Sequence, residues 1–311
     1  MASTASTQRT DIEPQGDRAP DQVRRGGVDR AFYWMVLPAF ALFFLFNTVP
    51  VLRGVFYSFT DYRGYGAWDF VGLRNYAALL VDDRVRHSYV FTIQFALVST
   101  ILVNVIALAI AMGLNANIRF RTTLRGIFFL PNVLAILVVG YIFQYLFTFS
   151  LPVIGQWLGI DRLSSSILAD PNLAWIGIVV LAVWQAAAFA VVLYLAGLQT
   201  IPEDLYEAAE INGASAWQKF RSITFPLIAA FFTINMVLSL KNFMMVFDHV
   251  VAMTDGGPGT ATESISLLIY RGGFEGGEFA YQTANAVVYF VVILAFAFVQ
   301  LRVLQRREVQ L

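Results

Sequence analysis

Cysteine is absent from this 311-residue chain, and histidine occurs only at His87 and His249. Without thiols there can be no disulfide, no thiolate metal site and no cysteine nucleophile. The two histidines form no HxxxH or HExxH pair, so no metal ligand set and no histidine chemistry is expected. Charge is scarce too: 14% of residues are charged, against about 25% in soluble domains. Lys+Arg and Asp+Glu are both 21, which leaves no basic surplus for nucleic acid. The two lysines, Lys219 and Lys241, do not follow a glycine. No GxxxxGK[ST] loop is therefore available to cradle a triphosphate, and the chain cannot hydrolyse ATP alone. The Gly-rich run Asp255–Gly259 has no helix-opening lysine behind it and reads as a turn. No triad or carboxylate pair stands out. The sequence implies neither a catalytic residue nor a cofactor.

What the chain has is apolar length: 58% of its residues are hydrophobic, more than a protein core needs. Six stretches reach the roughly 20 apolar residues that cross a bilayer core of about 30 Å. They are Ala31–Leu52, Tyr89–Leu114, Ile127–Phe147, Trp175–Leu198, Ile223–Phe247 and Thr283–Leu301, and only the fifth holds a charge, Lys241. The fold class is all-α integral membrane. The connections that include Arg9, Arg119, Arg121, Arg125, Lys219, Arg221 and Arg302 hold 13 basic residues, and the opposite set, with Arg53, Arg84 and Arg271, holds 7. The richer side should be cytoplasmic, so both termini are expected inside. Residues 1–30 have almost nothing to bury and read as a disordered cytoplasmic tail; they are no signal peptide, because the first apolar run is long enough to span. Residues 31–305 form the membrane domain and 306–311 a cytoplasmic tail.

The connection over residues 200–222 is the most informative. Thr200 and Glu203 have capping-box spacing, with Pro202 in the first turn. Asn212-Gly213 stops that helix, and Ser215 with Gln218 opens another. Leu205, Ala208, Ala209 and Asn212 share one face, which the two alanines make flat. Local physics leaves two readings open: a connection resting on headgroups, or a docking helix.

The same stretch carries Glu207-Ala208-Ala209, then Gly213 after three residues, then Ile223-Thr224-Phe225-Pro226 after nine more. This pattern resembles the signature loop of binding-protein-dependent ABC importer permeases, Glu-Ala-Ala, Gly and Ile-x-Leu-Pro at those spacings. Phe225 replaces the usual Leu, and Asn212 stands where sugar importers often have Asp. Ser58-Phe59-Thr60-Asp61, Val71-Gly72-Leu73-Arg74-Asn75-Tyr76 and Met253-Thr254-Asp255-Gly256-Gly257-Pro258 look like the carbohydrate branch of that family, typified by the maltose and glycerol-phosphate importers. The resemblance covers most of residues 30–305. It implies a type I importer permease fold in the inner (cytoplasmic) membrane, in which the loop is a coupling helix seated in the ATPase subunit. Glu207, Ala208, Ala209 and Gly213 would couple, with Ile223 and Pro226 marking the return to the membrane. The implied partners are a dimer of cytoplasmic ATPase subunits, a second related permease, an extracytoplasmic sugar-binding protein and the lipid bilayer. The implied cargo is a di- or oligosaccharide, with glycerol phosphate or a polyol as alternatives.

Polar groups inside spans tend to face the bundle or a water-filled cavity, and a sugar path needs hydrogen-bonding groups and aromatic faces. Asn132, Tyr141, Gln144, Gln185, Asn235, Ser239 and Asn242 qualify. Any one of them is more often a helix–helix hydrogen bond than a ligand contact. The resemblance points to Asn132 and Ile136, to Gln185, Ala186 and Phe189, and to Ser239, Asn242, Phe243 and Val246. Lys241 and Asp248, seven apart, would share a helix face and are expected to pair, with Asp248 near the outer interface. An ion-driven secondary transporter, the competing reading, would move substrate without an ATPase partner and usually carries an inverted repeat, which is not visible here. A membrane enzyme would need a catalytic cluster.

Overall fold

The computed structural model describes residues 30–116 and 118–304. The tails expected over residues 1–30 and 306–311 lie almost wholly outside them. The described residues divide into two compact units, one up to Val51 and one from Leu52 onward. Helix α1, Tyr33–Tyr57, begins in the first and ends in the second.

The second unit adds, in order, α2 (Arg74–Leu79), α3 (Asp83–Asn115), α4 (Arg121–Val133), α5 (Ile136–Leu158), α6 (Ala174–Leu198), α7 (Glu203–Ile211), α8 (Ala216–Leu227), α9 (Ala229–Met244), α10 (Asp248–Met253), α11 (Ile265–Tyr270) and α12 (Phe279–Leu304). Five of these helices (α1, α3, α5, α6 and α12) are long and apolar enough to cross a membrane, and α8 with α9, bent by 70°, makes a sixth span.

Proline explains where the long helices widen. Single π-helical turns occupy Phe44–Thr48, Leu146–Ser150 and Phe220–Thr224, each ending two residues before a proline, at Pro50, Pro152 and Pro226. A proline ring collides with the carbonyl four residues earlier; the wider turn moves that carbonyl aside without ending the helix. At Pro131 the relief differs. Leu134 and Ala135 go extended, so α4 stops and α5 starts on a new axis. The expected span Ile127–Phe147 is therefore corrected to a helix over Ile136–Leu158 preceded by a separate one. The expected span Ile223–Phe247 likewise ends at Met244, and residues 245–247 break it before α10.

α3 packs along α6 and α9 through a stripe at every fourth residue: Phe95, Ser99, Val103, Ala107 and Ala111 are buried. Small side chains on both helices let the backbones approach, as in membrane bundles generally. At Gly140 of α5, a Cβ would collide with Ala252 of α10. The segments between α1 and α3 are pinned by their sequence motifs. Asn75 Nδ2 donates to the carbonyls of Ser58 and Thr60, at 2.9 and 2.7 Å, and the Ser58 and Tyr76 hydroxyls lie 2.6 Å apart. Asp82 Oδ1 accepts from the N–H groups of Arg84 and Val85 and caps α3. Partial burial alone would raise the Asp82 pKa, but these bonds and one from the Tyr281 hydroxyl hold it below its ordinary value.

Candidate functional site

Two broken helices and one intact helix enclose a cavity of about 520 Å³, within the usual range of about 300–1,000 Å³ for small-molecule sites. Asn132 and Leu134 come from the first break, Ser239, Asn242 and Phe243 from the end of α9, Asp248 and His249 from the start of α10. Gln185 and Phe189 come from α6. Gln185 is close to the middle of that helix, so the cavity lies deep in the bundle. Irregular backbone at such depth persists where it lines a cavity or where protein groups satisfy it.

All six substrate candidates, Asn132, Gln185, Phe189, Ser239, Asn242 and Phe243, line this cavity, as do Ile136, Ala186 and Val246. Their situations differ. Among the described residues, no hydrogen bond engages the side chains of Asn132, Ser239 or Asn242, and Phe189 is about half exposed, at 48%. Gln185 is buried and committed. Its Nε2 donates to the carbonyls of Leu134 (3.0 Å) and Pro131 (3.4 Å), two of the groups freed by the break, and its Oε1 lies 3.1 Å from His249 Nε2. One amide thus joins both helix breaks. Phe243 is buried edge-on against Phe95, ring centroids 5.9 Å apart. Asn235 lines the cavity but donates to the Ala190 carbonyl at 3.2 Å. Tyr141 and Gln144 are exposed and do not line it.

The expected pairing of Lys241 with Asp248 does not form. Neither takes part in the four ion pairs among the described residues. The seven-residue spacing puts two side chains on one face only while the helix is continuous, and the break over 245–247 ends that register. Asp248 lines the cavity, and Lys241 is exposed. Leu134, Met245, Asp248 and His249 as lining residues were not foreseen. Pro131, and the polar Asp248-His249 pair closing an apolar run, are the signals that could have found them.

The second candidate surface is the elbow formed by α7 and α8. Gly213 ends α7 with φ +72°, its N–H bonding the Glu210 carbonyl and the Ala214 N–H bonding the Ala209 carbonyl, each at 2.9 Å. That is a Schellman closure, in which glycine takes the left-handed position without a Cβ penalty. The Ser215–Gln218 capping box forms as expected. The one at Thr200 does not: its hydroxyl closes α6 on the Gly197 carbonyl, and Pro202 precedes α7 without a side-chain cap. Lys219 Nζ meets Glu210 Oε1 at 2.7 Å across the elbow and holds the Glu210 carboxyl below its ordinary pKa. Glu207, Ala208 and Gly213 are exposed, Ala209 and Ile223 half-buried, and the hydroxyls of Tyr206 and of Thr224, two residues before Pro226, lie 2.9 Å apart. Ile211 and Trp217 stand 87% and 66% exposed beside them. This is an apolar surface at a polar elbow, of the kind that marks a docking site.

Residues 104–309, more than half of the chain, match the family described as the binding-protein-dependent transport system inner membrane component. The multiple sugar-binding transport system permease protein MsmF of Streptococcus mutans serotype c is 35% identical over 284 residues, covering 89% of this chain and 97% of that one. The trehalose/maltose transport system permease protein MalF of Thermococcus litoralis is 34% identical over 273 residues, covering 87% and 92%. A solved bacterial ABC transporter involved in the import of the acidic polysaccharide alginate superposes with a TM-score of 0.79 at 23% identity, over 89% of this chain and 96% of that one. It shares the fold.

Proposed function

This chain belongs to the binding-protein-dependent transport system inner-membrane component family, and from that premise we propose that it is the sugar-translocating permease subunit of an ATP-driven importer in the cytoplasmic membrane. The observation that carries the reading is the cavity between two helix breaks. It offers the unengaged amides of Asn132 and Asn242, the Ser239 hydroxyl and the exposed ring of Phe189. Amides and hydroxyls match sugar hydroxyls, and an aromatic face matches the apolar face of a pyranose. Discontinuous helices flanking a mid-membrane site are also how transporters bring free backbone and side-chain groups to a substrate.

Gln185 serves this reading indirectly. Spent on the breaks, it fixes the shape of the cavity and leaves the binding of a di- or oligosaccharide to its neighbours. The elbow of α7 and α8 supplies the other half. Glu207, Ala208, Ala209 and Gly213 seat against a cytoplasmic ATPase, and Ile223 and Pro226 carry its movement into α9. The chain holds no phosphate-binding loop of its own, so hydrolysis belongs to the ATPase partner. A second permease completes the path, and an extracytoplasmic binding protein delivers the sugar.

The test is to purify the tagged chain from its native membrane and identify what accompanies it by mass spectrometry. Recovery of an ATPase and a second permease, with ATP hydrolysis stimulated by the sugar-loaded binding protein, is the expected result. A chain that purifies alone and moves sugar in liposomes under an ion gradient without ATP overturns it.

A further inference from the structure

Two clefts outside the sugar cavity meet on α6. The larger, of about 550 Å³, lies among α3, α4 and α6 and is lined by apolar side chains, with Ile106, Ile110, Leu130 and Trp184 among them. The smaller, of about 270 Å³, opens between α4 and the end of α6 from which the α7 elbow departs, and its walls include Arg125, Phe129 and Gln199. Ala188 and Val191 border both clefts.

Arg125 is half-buried and incompletely satisfied. Its Nη2 reaches the Leu114 carbonyl only at 3.4 Å, and its enclosed Nε–H has no partner among the described residues. An unmade hydrogen bond from a buried charged group is costly. The charge along this part of the chain is all of one sign. Arg119 and Arg121 flank the start of α4, and none of the three arginines takes part in an ion pair among the described residues. The sequence has no acidic residue between Asp83 and Asp161. The arginines also crowd the positive end of the α4 dipole, where no side chain caps the free N–H groups. An anion is the missing component, and phosphate is the usual one at such a helix end.

We propose that these clefts form a binding site for an anionic phospholipid of the inner leaflet, with an acyl chain in the apolar cleft and the phosphate on Arg125. The adjoining apolar wall selects a lipid over a free phosphate, because a soluble anion leaves that wall unfilled. Arg125 donates from Nε, and Arg121 adds charge at the rim. Basic pockets between spans on the cytoplasmic side hold acidic headgroups by this combination. Since Gln199 borders the headgroup cleft and directly precedes the α7 elbow, the bound lipid steadies the point where that elbow leaves the bundle. The site does not depend on the cargo.

The experiment uses the intact tagged protein, with whatever subunits accompany it, in nanodiscs doped with photoreactive lipids. Two probes carry the reactive group at the end of an acyl chain: one phosphatidylglycerol, the other phosphatidylcholine. After irradiation, adducts should map to peptides of α3, α4 and α6, with the phosphatidylglycerol probe favoured about tenfold, the worth of one charge-assisted contact. Arg125→Gln should abolish the preference and Arg125→Lys should keep most of it. Val191→Trp, which fills the cleft and leaves Arg125 in place, should lower the adducts independently. Equal labelling by both probes would mean ordinary boundary lipid and overturn the proposal. So would efficient cross-linking of Val180→Cys, unique in this cysteine-free chain, to another polypeptide in native membranes, because a protein helix would then fill the cleft.

Discussion

At the scale of single residues, the cavity separates side chains that look alike in the sequence. Asn242 and Gln185 are both amides in apolar spans, yet one is free and the other holds two carbonyls and a histidine. Their substitutions should fail in different ways. Asn242→Leu removes a group open to the cavity. Uptake and sugar-stimulated ATP hydrolysis should each fall about tenfold, one hydrogen bond's worth, with thermal stability unchanged. Gln185→Leu strips the carbonyls of Pro131 and Leu134 of their donor; the Pro131 bond is buried and its loss costs about 1–3 kcal/mol, while the Leu134 bond is only partly buried. It should lower the unfolding temperature in detergent as well as transport. A Gln185→Leu protein as stable as the parent would show that the breaks do not need this amide.

At the scale of elements, the elbow between α7 and α8 depends on a backbone conformation. Nothing lies within 4 Å of a Cβ placed at Gly213, so the objection to a side chain there is its φ of +72° alone. Valine would cost about 1–2 kcal/mol in the left-handed region and tilt the exposed face of α7. We expect Gly213→Val to assemble normally but to hydrolyse ATP with little transport, measured as the ratio of uptake to hydrolysis. The same elbow carries an acid dependence. The native Glu210 carboxyl has a lowered pKa, so its link to Lys219 stabilises the elbow above the unfolded carboxylate value of about 4.3 and is lost as pH falls through the native one. Hydrogen exchange in α7 and α8 should rise as pH is lowered below about 4, after correction for intrinsic rates. In Glu210→Gln that rise should be absent. The π-turns before Pro50, Pro152 and Pro226, set against the full break after Pro131 and against Pro38 inside a continuous α-helical stretch, show the same residue type with three outcomes. At the break after Pro131, Gln185 satisfies freed carbonyls.

At the scale of the whole molecule, long-range polar contacts close the end of the bundle opposite the elbow. Arg84, at the start of α3, grips Glu263 through two hydrogen bonds of 2.8 and 2.7 Å, and the Glu263 side chain is only 1% exposed. Asp255, at the Gly-Gly-Pro turn, meets Arg271 at 2.6 Å. Arg84→Ala leaves a buried carboxylate unpaired. Because Arg84 itself is about half exposed, the loss should be about 2 kcal/mol and not the larger value of a fully buried pair. The double variant Arg84→Ala with Glu263→Gln should recover part of it in thermal unfolding. If the single variant unfolds at the parent temperature, water satisfies Glu263 and the pair is dispensable.

The sequence by itself determined the solvent and the local rules. Runs of about 20 apolar residues mark candidate spans, and Gly213, Ser215 and Gln218 specify the elbow because caps and left-handed turns are decided within a few residues. It also named, through its resemblance to a family, side chains that share one cavity. Only the tertiary structure decided where the third and fifth spans break, which amides are spent on those breaks, and that Lys241 and Asp248 part company. The break after Pro131 is held by a hydrogen-bond donor supplied by another helix. For Pro131 that donor is Gln185, 54 residues away, beyond the reach of any local pattern. The same distance hid the partner of Glu263, which lies 179 residues from Arg84, because a buried charge is paired through space and not along the chain.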